Sequence, residues 1–180
     1  MANAEDALTE LLDSHEGNKL IGKWTPTLEI VFHSYCTSSD EKDDDLAALT
    51  MDMEEWICFL TEAGFLGPKL TMREARGIFV QVNLDDDMYV QEDAANNSSE
   101  LVLVEFIECI FRAALEITGF AVGSLHEGDY THVVEILDGF MTTQMESRAE
   151  RLKAKLSNQR ASLANRATTK APKTRGQSRS

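Results

Sequence analysis

The chain has 180 residues, 43% of them apolar, and a formal net charge of −14, which suits one domain with its own core plus an extension. No run of about 18 apolar residues occurs, so no membrane span is expected. The acidic start MANAEDALTELLDSHEG lacks the basic and apolar blocks of a secretory leader. The charge is unevenly placed. Residues 1–147 hold 7 Lys/Arg against 30 Asp/Glu, net −23, whereas residues 148–180 hold 10 Lys/Arg against the single acid Glu150, net +9. A basic arm on an acidic body reaches for nucleic acid, an anionic membrane or an acidic protein surface.

Residues 4–14 read as a short amphipathic helix with Leu8, Leu11 and Leu12 on one side, ending near Gly17. His15-Glu16-Gly17 and His126-Glu127-Gly128 both read as helix ends with a glycine stop. The segment from Gly17 to Lys23 has the glycine and lysine spacing of a phosphate loop. Trp24 stands where a magnesium-holding hydroxyl belongs, and what precedes is helical, so no phosphate site is assigned. Residues 1–24 are therefore an N-terminal helix and lead-in. Thr25 followed by Pro26 reads as a helix start, with Leu28, Ile30, Val31, Phe32 and Tyr35 on the apolar side. A polar loop with Asp40, Asp43, Asp44 and Asp45 follows. Met51-Asp52-Met53-Glu54-Glu55-Trp56 then leads into a helix with Ile57, Phe59 and Leu60 that ends at Gly64.

After the linker GFLGPKL, Thr71 is an N-cap with Glu74 at capping-box spacing. Met72, Ala75, Ile78 and Phe79 recur with helical period, and the acidic run Asp85, Asp86, Asp87 closes that helix. The extended segment at Leu101 leads into a helix burying Ile107, Ile110, Phe111 and Ala114. Ser124 to Asp129 is a turn. From Asp129 to Asn165 there is no proline and one glycine, room for a helix of about 55 Å. Its first half carries Val133, Ile136, Leu137, Phe140, Met141 and Met145 and is expected to dock, while the basic second half projects. Residues 166–180 have no apolar period and form a flexible tail.

Two of these segments repeat. Phe32 corresponds to Phe79, Cys36 to Asn83, Met51 to Leu101, Glu55 to Glu105 and Trp56 to Phe106. A hydrophobic residue, three more, then Glu and an aromatic resembles the second half of an EF-hand loop. In that family the hydrophobic residue pairs with a sister loop and the glutamate closes the metal site with both oxygens. The resemblance covers residues 25–118 and implies an all-α fold. Its core is a degenerate EF-hand pair (hand one 25–66, hand two 71–118, the unit closing by 122), flanked by the short N-terminal helix and the long C-terminal helix, 129–165. Within the superfamily the chain resembles the divergent hand pairs of ciliary and flagellar axonemes. That implies a cytoplasmic, cytoskeletal setting with microtubules or their attached complexes as partners.

Measured from the helix-end equivalents, the loops Cys36–Glu55 and Asn83–Glu105 span 20 and 23 positions, against twelve in a calcium loop, and contain no turn glycine. Solvated acids are the expected outcome; the one calcium set the spacing offers is Asp85, Asp87 and Glu105. Cys36, Cys58 and Cys109 are odd in number, lack metal spacing and read as free thiols of a reducing compartment. The sequons at Asn96 and Asn97 then carry no weight. The four histidines form no ligand pair, the tryptophans and methionines read as core, and no nucleophile–base constellation supports an enzyme. The expected function is that of a non-enzymatic adaptor. It would dock on an acidic protein surface, tubulin or an axonemal protein, through Arg148, Arg151, Lys153, Lys155, Arg160, Arg166, Lys170, Lys173, Arg175 and Arg179. The alternative is a calcium-responsive regulator that binds a target helix in a Met-lined groove. The tail has no interleaved aromatics and no reading module, so nucleic acid is not the expected partner.

Overall fold

Leu8 and Leu11 are buried and Leu12 half-buried, so the first helix, α1 (Ala4–Asp13), lays its leucine side on the core. The computed structural model of the chain describes residues 4–36, 50–86, 100–120, 130–155 and 157. Most of these are helical. The order is α1, α2 (His15–Tyr35), β1 (Met51–Asp52), α3 (Met53–Ala63), α4 (Met72–Asp86), β2 (Glu100–Leu101), α5 (Leu103–Thr118) and α6 (Thr131–Phe140). A π-helical turn at Met141–Met145 follows, and the helix then continues through residue 155. The all-α expectation holds.

The start of α2 differs from the expectation in two places. Gly17 does not stop a helix: Ser14 caps α2, with Gly17 N–H donating to Ser14 Oγ at 3.0 Å. Glycine is needed there because a Cβ would lie 1.9 Å from the Leu11 carbonyl oxygen at the α1–α2 corner. Nor does Pro26 start a helix, since α2 runs through it, across the boundary expected between residues 24 and 25. Leu20, Trp24, Leu28, Val31 and Phe32 form one buried stripe along α2. At about 1.5–3 kcal/mol per buried apolar side chain, they outweigh the roughly 3 kcal/mol cost of an interior proline. Pro26 itself faces solvent. His126–Gly128 lies outside the described residues.

The two strands are antiparallel partners, with Met51 opposite Leu101 and Asp52 opposite Glu100. Met51 and Leu101 are both fully buried. Equivalent positions of the repeat thus face each other across the ladder. Behind them Phe106 meets Phe32, Trp56 and Phe59, at centroid distances of 5.3, 6.1 and 5.7 Å. Trp56 keeps its indole N–H satisfied by the Ala75 carbonyl, 3.0 Å away.

The helices that leave the ladder end alike. Gly64 and Gly119 have φ of 70° and 74°, a left-handed conformation that glycine adopts without a Cβ penalty. Phe65 N–H returns to the Leu60 carbonyl and Phe120 N–H to the Leu115 carbonyl, both at 3.0 Å, while Gly64 and Gly119 bond Thr61 and Glu116. Both ends are Schellman motifs with a phenylalanine at the second position. Phe65 then packs on Phe140, at 5.3 Å, and so ties this end to the C-terminal helix.

That last helix docks over more of its length than expected. Val133, Leu137, Phe140, Met141, Met145 and Ala149 are buried, and Leu152 is packed against the core. In the π turn the Glu146 N–H reaches back to the Met141 carbonyl. The Thr142 and Thr143 hydroxyls donate to the carbonyls of Asp138 and Gly139, at 2.9 and 2.8 Å. Met72, expected on the buried side of α4, is 43% exposed.

Gly17→Ala should lower the unfolding free energy by about 1–3 kcal/mol, the range for forcing atoms into a filled space. Gly22→Ala, whose Cβ would meet nothing within 4 Å, should leave stability unchanged or raise it by up to about 1 kcal/mol. Chemical denaturation of the two variants checks both signs.

Candidate functional site

Two clusters carry the residues singled out by sequence: Glu55 and Glu105 beside the strand ladder, and the basic C-terminal helix. At the start of α3, Asp52 and Glu55 form a reciprocal capping box. Glu55 N–H donates to Asp52 Oδ1 at 2.8 Å, and Asp52 N–H donates to Glu55 Oε2 at 3.0 Å. At the start of α5, Val102 N–H donates to Glu105 Oε2 at 2.6 Å, and Glu105 is buried. Both glutamates occupy the third position of their helix, where a carboxylate meets free N–H groups and the positive end of the dipole. An EF-hand loop needs both oxygens of its closing glutamate on the metal, whereas in Glu55 and in Glu105 one oxygen holds a backbone N–H. Asp85 lies in the last turn of α4, its side chain outside what is described, and Asp87 lies outside the described residues. Among the described residues no three His, Cys, Asp or Glu side chains gather to hold a metal.

The entry to the first loop is chemically quiet. Burial, then the Glu55 and Asp52 charges, push the Cys36 thiol up to about 12, far from the reactive range. Burial and the neighbouring Glu62 carboxylate, which accepts the Tyr35 hydroxyl at 2.8 Å, push that phenol up to about 12. At the start of α4 the Thr71 N–H and hydroxyl both donate to Glu74, at 2.7 and 2.8 Å, and pull its carboxyl below the usual range.

The basic set divides. Arg148 belongs to the fold: its Nη1 and Nη2 donate to the carbonyls of Glu62 and Ala63 at 3.3 and 2.9 Å, with the guanidinium 5.7 Å from the Phe65 ring centroid. The Schellman motif of α3 satisfies the Leu60 and Thr61 carbonyls, and the next two are the pair Arg148 takes. Its placement was legible, since Met141, Met145 and Arg148 share one helical face at i, i+4 and i+7. Lys153 pairs with Glu150 at 2.8 Å. Arg151 and Lys155 are exposed. Arg160, Arg166, Lys170, Lys173, Arg175 and Arg179 lie outside the described residues.

A further contact, absent from the sequence expectations, clamps α6 onto α2. Trp24 Nε1 donates to Asp138 Oδ1 at 2.8 Å, and Lys23 pairs with the same oxygen while its ammonium lies 4.9 Å from the Trp24 ring centroid. The lysine and indole hydrogen bonds hold the Asp138 carboxyl below its usual range. No feature of the sequence joins residues 114 positions apart. The methionines fill space: Met51, Met141 and Met145 are fully buried. Cys109 is buried, Cys36 half-buried and Cys58 exposed, and none of the three forms a disulfide. Comparison with protein-family models, with curated proteins and with solved structures gives no match for this chain.

Arg148→Ala should strip the guanidinium from the two α3 carbonyls. An expected loss of about 1.5–3 kcal/mol, the range for hydrogen bonds to a charged group, would appear as faster amide exchange from residue 141 to 155. Asp138→Asn should lower stability by about 1 kcal/mol at pH 7 and red-shift Trp24 emission. Because the folded carboxyl titrates below its unfolded value, its contribution is complete above the ordinary carboxylate range and fades as pH falls through the folded pKa. The gap between wild type and variant, followed by melting from pH 7 downward, should therefore close only in acid.

Proposed function

We propose that the chain is a non-enzymatic adaptor on a degenerate EF-hand-like plan, held in a cytoskeletal assembly of the axonemal kind by its basic C-terminal arm. The observation that carries this reading is the division of charge, −23 over residues 1–147 and +9 beyond them. Arg148 fastens the start of the arm to the body, Lys153 pairs with Glu150, and the exposed Arg151 and Lys155 are left to face a partner. The paired-hand plan is supported by the one-to-one register of Met51 with Leu101 and by the matched glutamates behind them. The absence of calcium dependence is supported by the use of those carboxylates as helix caps.

The partner is an acidic protein surface, with the microtubule the first to be tried. Deletion of residues 158–180 combined with Arg151→Glu and Lys155→Glu leaves Arg148, Ala149 and Leu152 in place, so the body should melt as before. The full chain should cosediment with microtubules in a way that weakens from low to moderate salt, where the Debye length is about 8 Å. The altered chain should bind poorly at both. Undiminished binding would place the contact on the body. Calcium at 1 mM should leave the melting temperature unchanged. A site with a dissociation constant of about 10 μM would stabilise by about 2.7 kcal/mol, and such a shift, lost in Glu105→Gln, would favour the regulator instead.

A further inference from the structure

The outer face of α4 is unlike the rest of the acidic body. At about 100° per residue, Ala75, Ile78, Phe79, Val82 and Asn83 turn inward and are buried. Beside them, over an adjoining arc, lie Met72, Arg76 and Val80 along one ridge with Arg73 and Gly77 next to it, all exposed; Met72 falls on the inner side by this spacing and is exposed in the first turn of the helix. Met72 and Val80, at 43% and 47%, are two of the three large apolar residues the described structure leaves exposed. Arg73 and Arg76 are two of only seven cations in residues 1–147, and among the described residues neither forms a salt bridge. No acid shares the arc from Met72 to Gly77; Glu74 sits beyond its edge. α4 packs on α3 and α5 through its inner side, and no described element covers the outer one.

Gly77 lies in the same patch. It stands in the interior of a 15-residue helix, where glycine is the poorest residue after proline. A Cβ built on it meets nothing within 4 Å, and its φ is not in the left-handed region. Neither internal packing nor backbone conformation requires glycine at this position. Gly22 and Gly139 are as unconstrained; what distinguishes Gly77 is its place one turn from Arg73 and Val80, where a missing side chain would let a second helix backbone lie near the first.

We propose that this face is a second docking surface and that its occupant is an acidic amphipathic helix of a partner protein. The partner's backbone would cross at Gly77, its apolar residues would cover Met72 and Val80, and its carboxylates would meet Arg73 and Arg76. Charge selects the sign of the partner. The body around the face is strongly negative, so a basic helix would be drawn elsewhere on it, and these two guanidiniums give an acidic helix a local foothold. The chain's own arm is cationic and is turned away by the same pair. The surface is separate from the arm, so the adaptor would hold two acidic partners at once.

The probe is a fluorescein-labelled 20-residue peptide with leucines at i, i+4 and i+7 on one helical face and glutamates elsewhere. Its binding to the full chain is read by fluorescence anisotropy at low salt. Arg73→Glu with Arg76→Glu should weaken binding at least tenfold without lowering the melting temperature. Gly77→Gln should weaken it at least fivefold while the variant melts no lower than wild type, which separates lost docking from lost folding. Arg151→Glu with Lys155→Glu on the arm should change it less than twofold. Unchanged affinity in the two α4 variants, or loss confined to the arm variant, would overturn the proposal. So would a fall in melting temperature on charge reversal, because it would put the chain's own acidic loops on this face.

Discussion

Everything in the molecule is arranged around the burial of α5. Ten of its sixteen residues are buried, including Glu105 and Arg112, and a helix covered on nearly every side has to sit at the centre. It is met by α2, α4 and α6. Its first turn supplies Phe106 to the aromatic cluster that joins both repeats, and its later turns supply Ile110, Phe111, Ala114 and Leu115. A buried cation on such a helix needs a partner close at hand. Glu108, one turn back, accepts Arg112 Nε and Nη2 at 2.8 and 2.6 Å. The neighbouring Cys109 thiol, enclosed among the same side chains, is held well above its ordinary pKa by burial.

The C-terminal helix is best understood from the far end of α3. A Schellman turn answers two of the carbonyls a helix leaves open, and the other two must find water or a donor. At α3 that donor is Arg148, arriving from a helix 85 residues later in the chain. One side chain therefore satisfies backbone acceptors, stacks on Phe65 and fixes where the arm departs. At the matching end of α5, Ile117 and Thr118 border an open groove of about 650 Å³ shared with Phe65, Ile136 and Phe140. No described cation answers the α5 carbonyls there. The repeat is thus symmetric in backbone and asymmetric in what completes it.

Features set by residues close in sequence could be read before the fold was known. Thr71 with Glu74, Glu55 with Trp56 and Glu105 with Phe106 are local patterns, and Met51 and Leu101 proved to be facing residues because both repeats place them alike. Features set by distant neighbours could not. Gly17 looks like a stop until the Leu11 carbonyl beside it is seen. Pro26 looks like a start because propensity is local, whereas the stripe from Leu20 to Phe32 gains its weight only from the core it meets. Arg148 was grouped with the arm by charge although its period with Met141 and Met145 placed it on the buried face. The Trp24–Asp138 contact had no local trace at all.

The two-residue ladder also sets what the chain can change. Among the described residues it pairs only Met51 with Leu101 and Asp52 with Glu100, and the entropic cost of closing a loop grows only as the logarithm of its length, by about 0.6 kcal/mol per doubling. On loop-closure entropy alone, an insertion between Cys36 and Thr50, or between Asp86 and Glu100, would cost the pairing little. A slip of one residue at Met51 or Leu101 is different in kind, since it would turn a fully buried side chain to the opposite face of the ladder. Lineages descending from such a chain would be free to drift in loop length while the few residues at the junction stayed fixed.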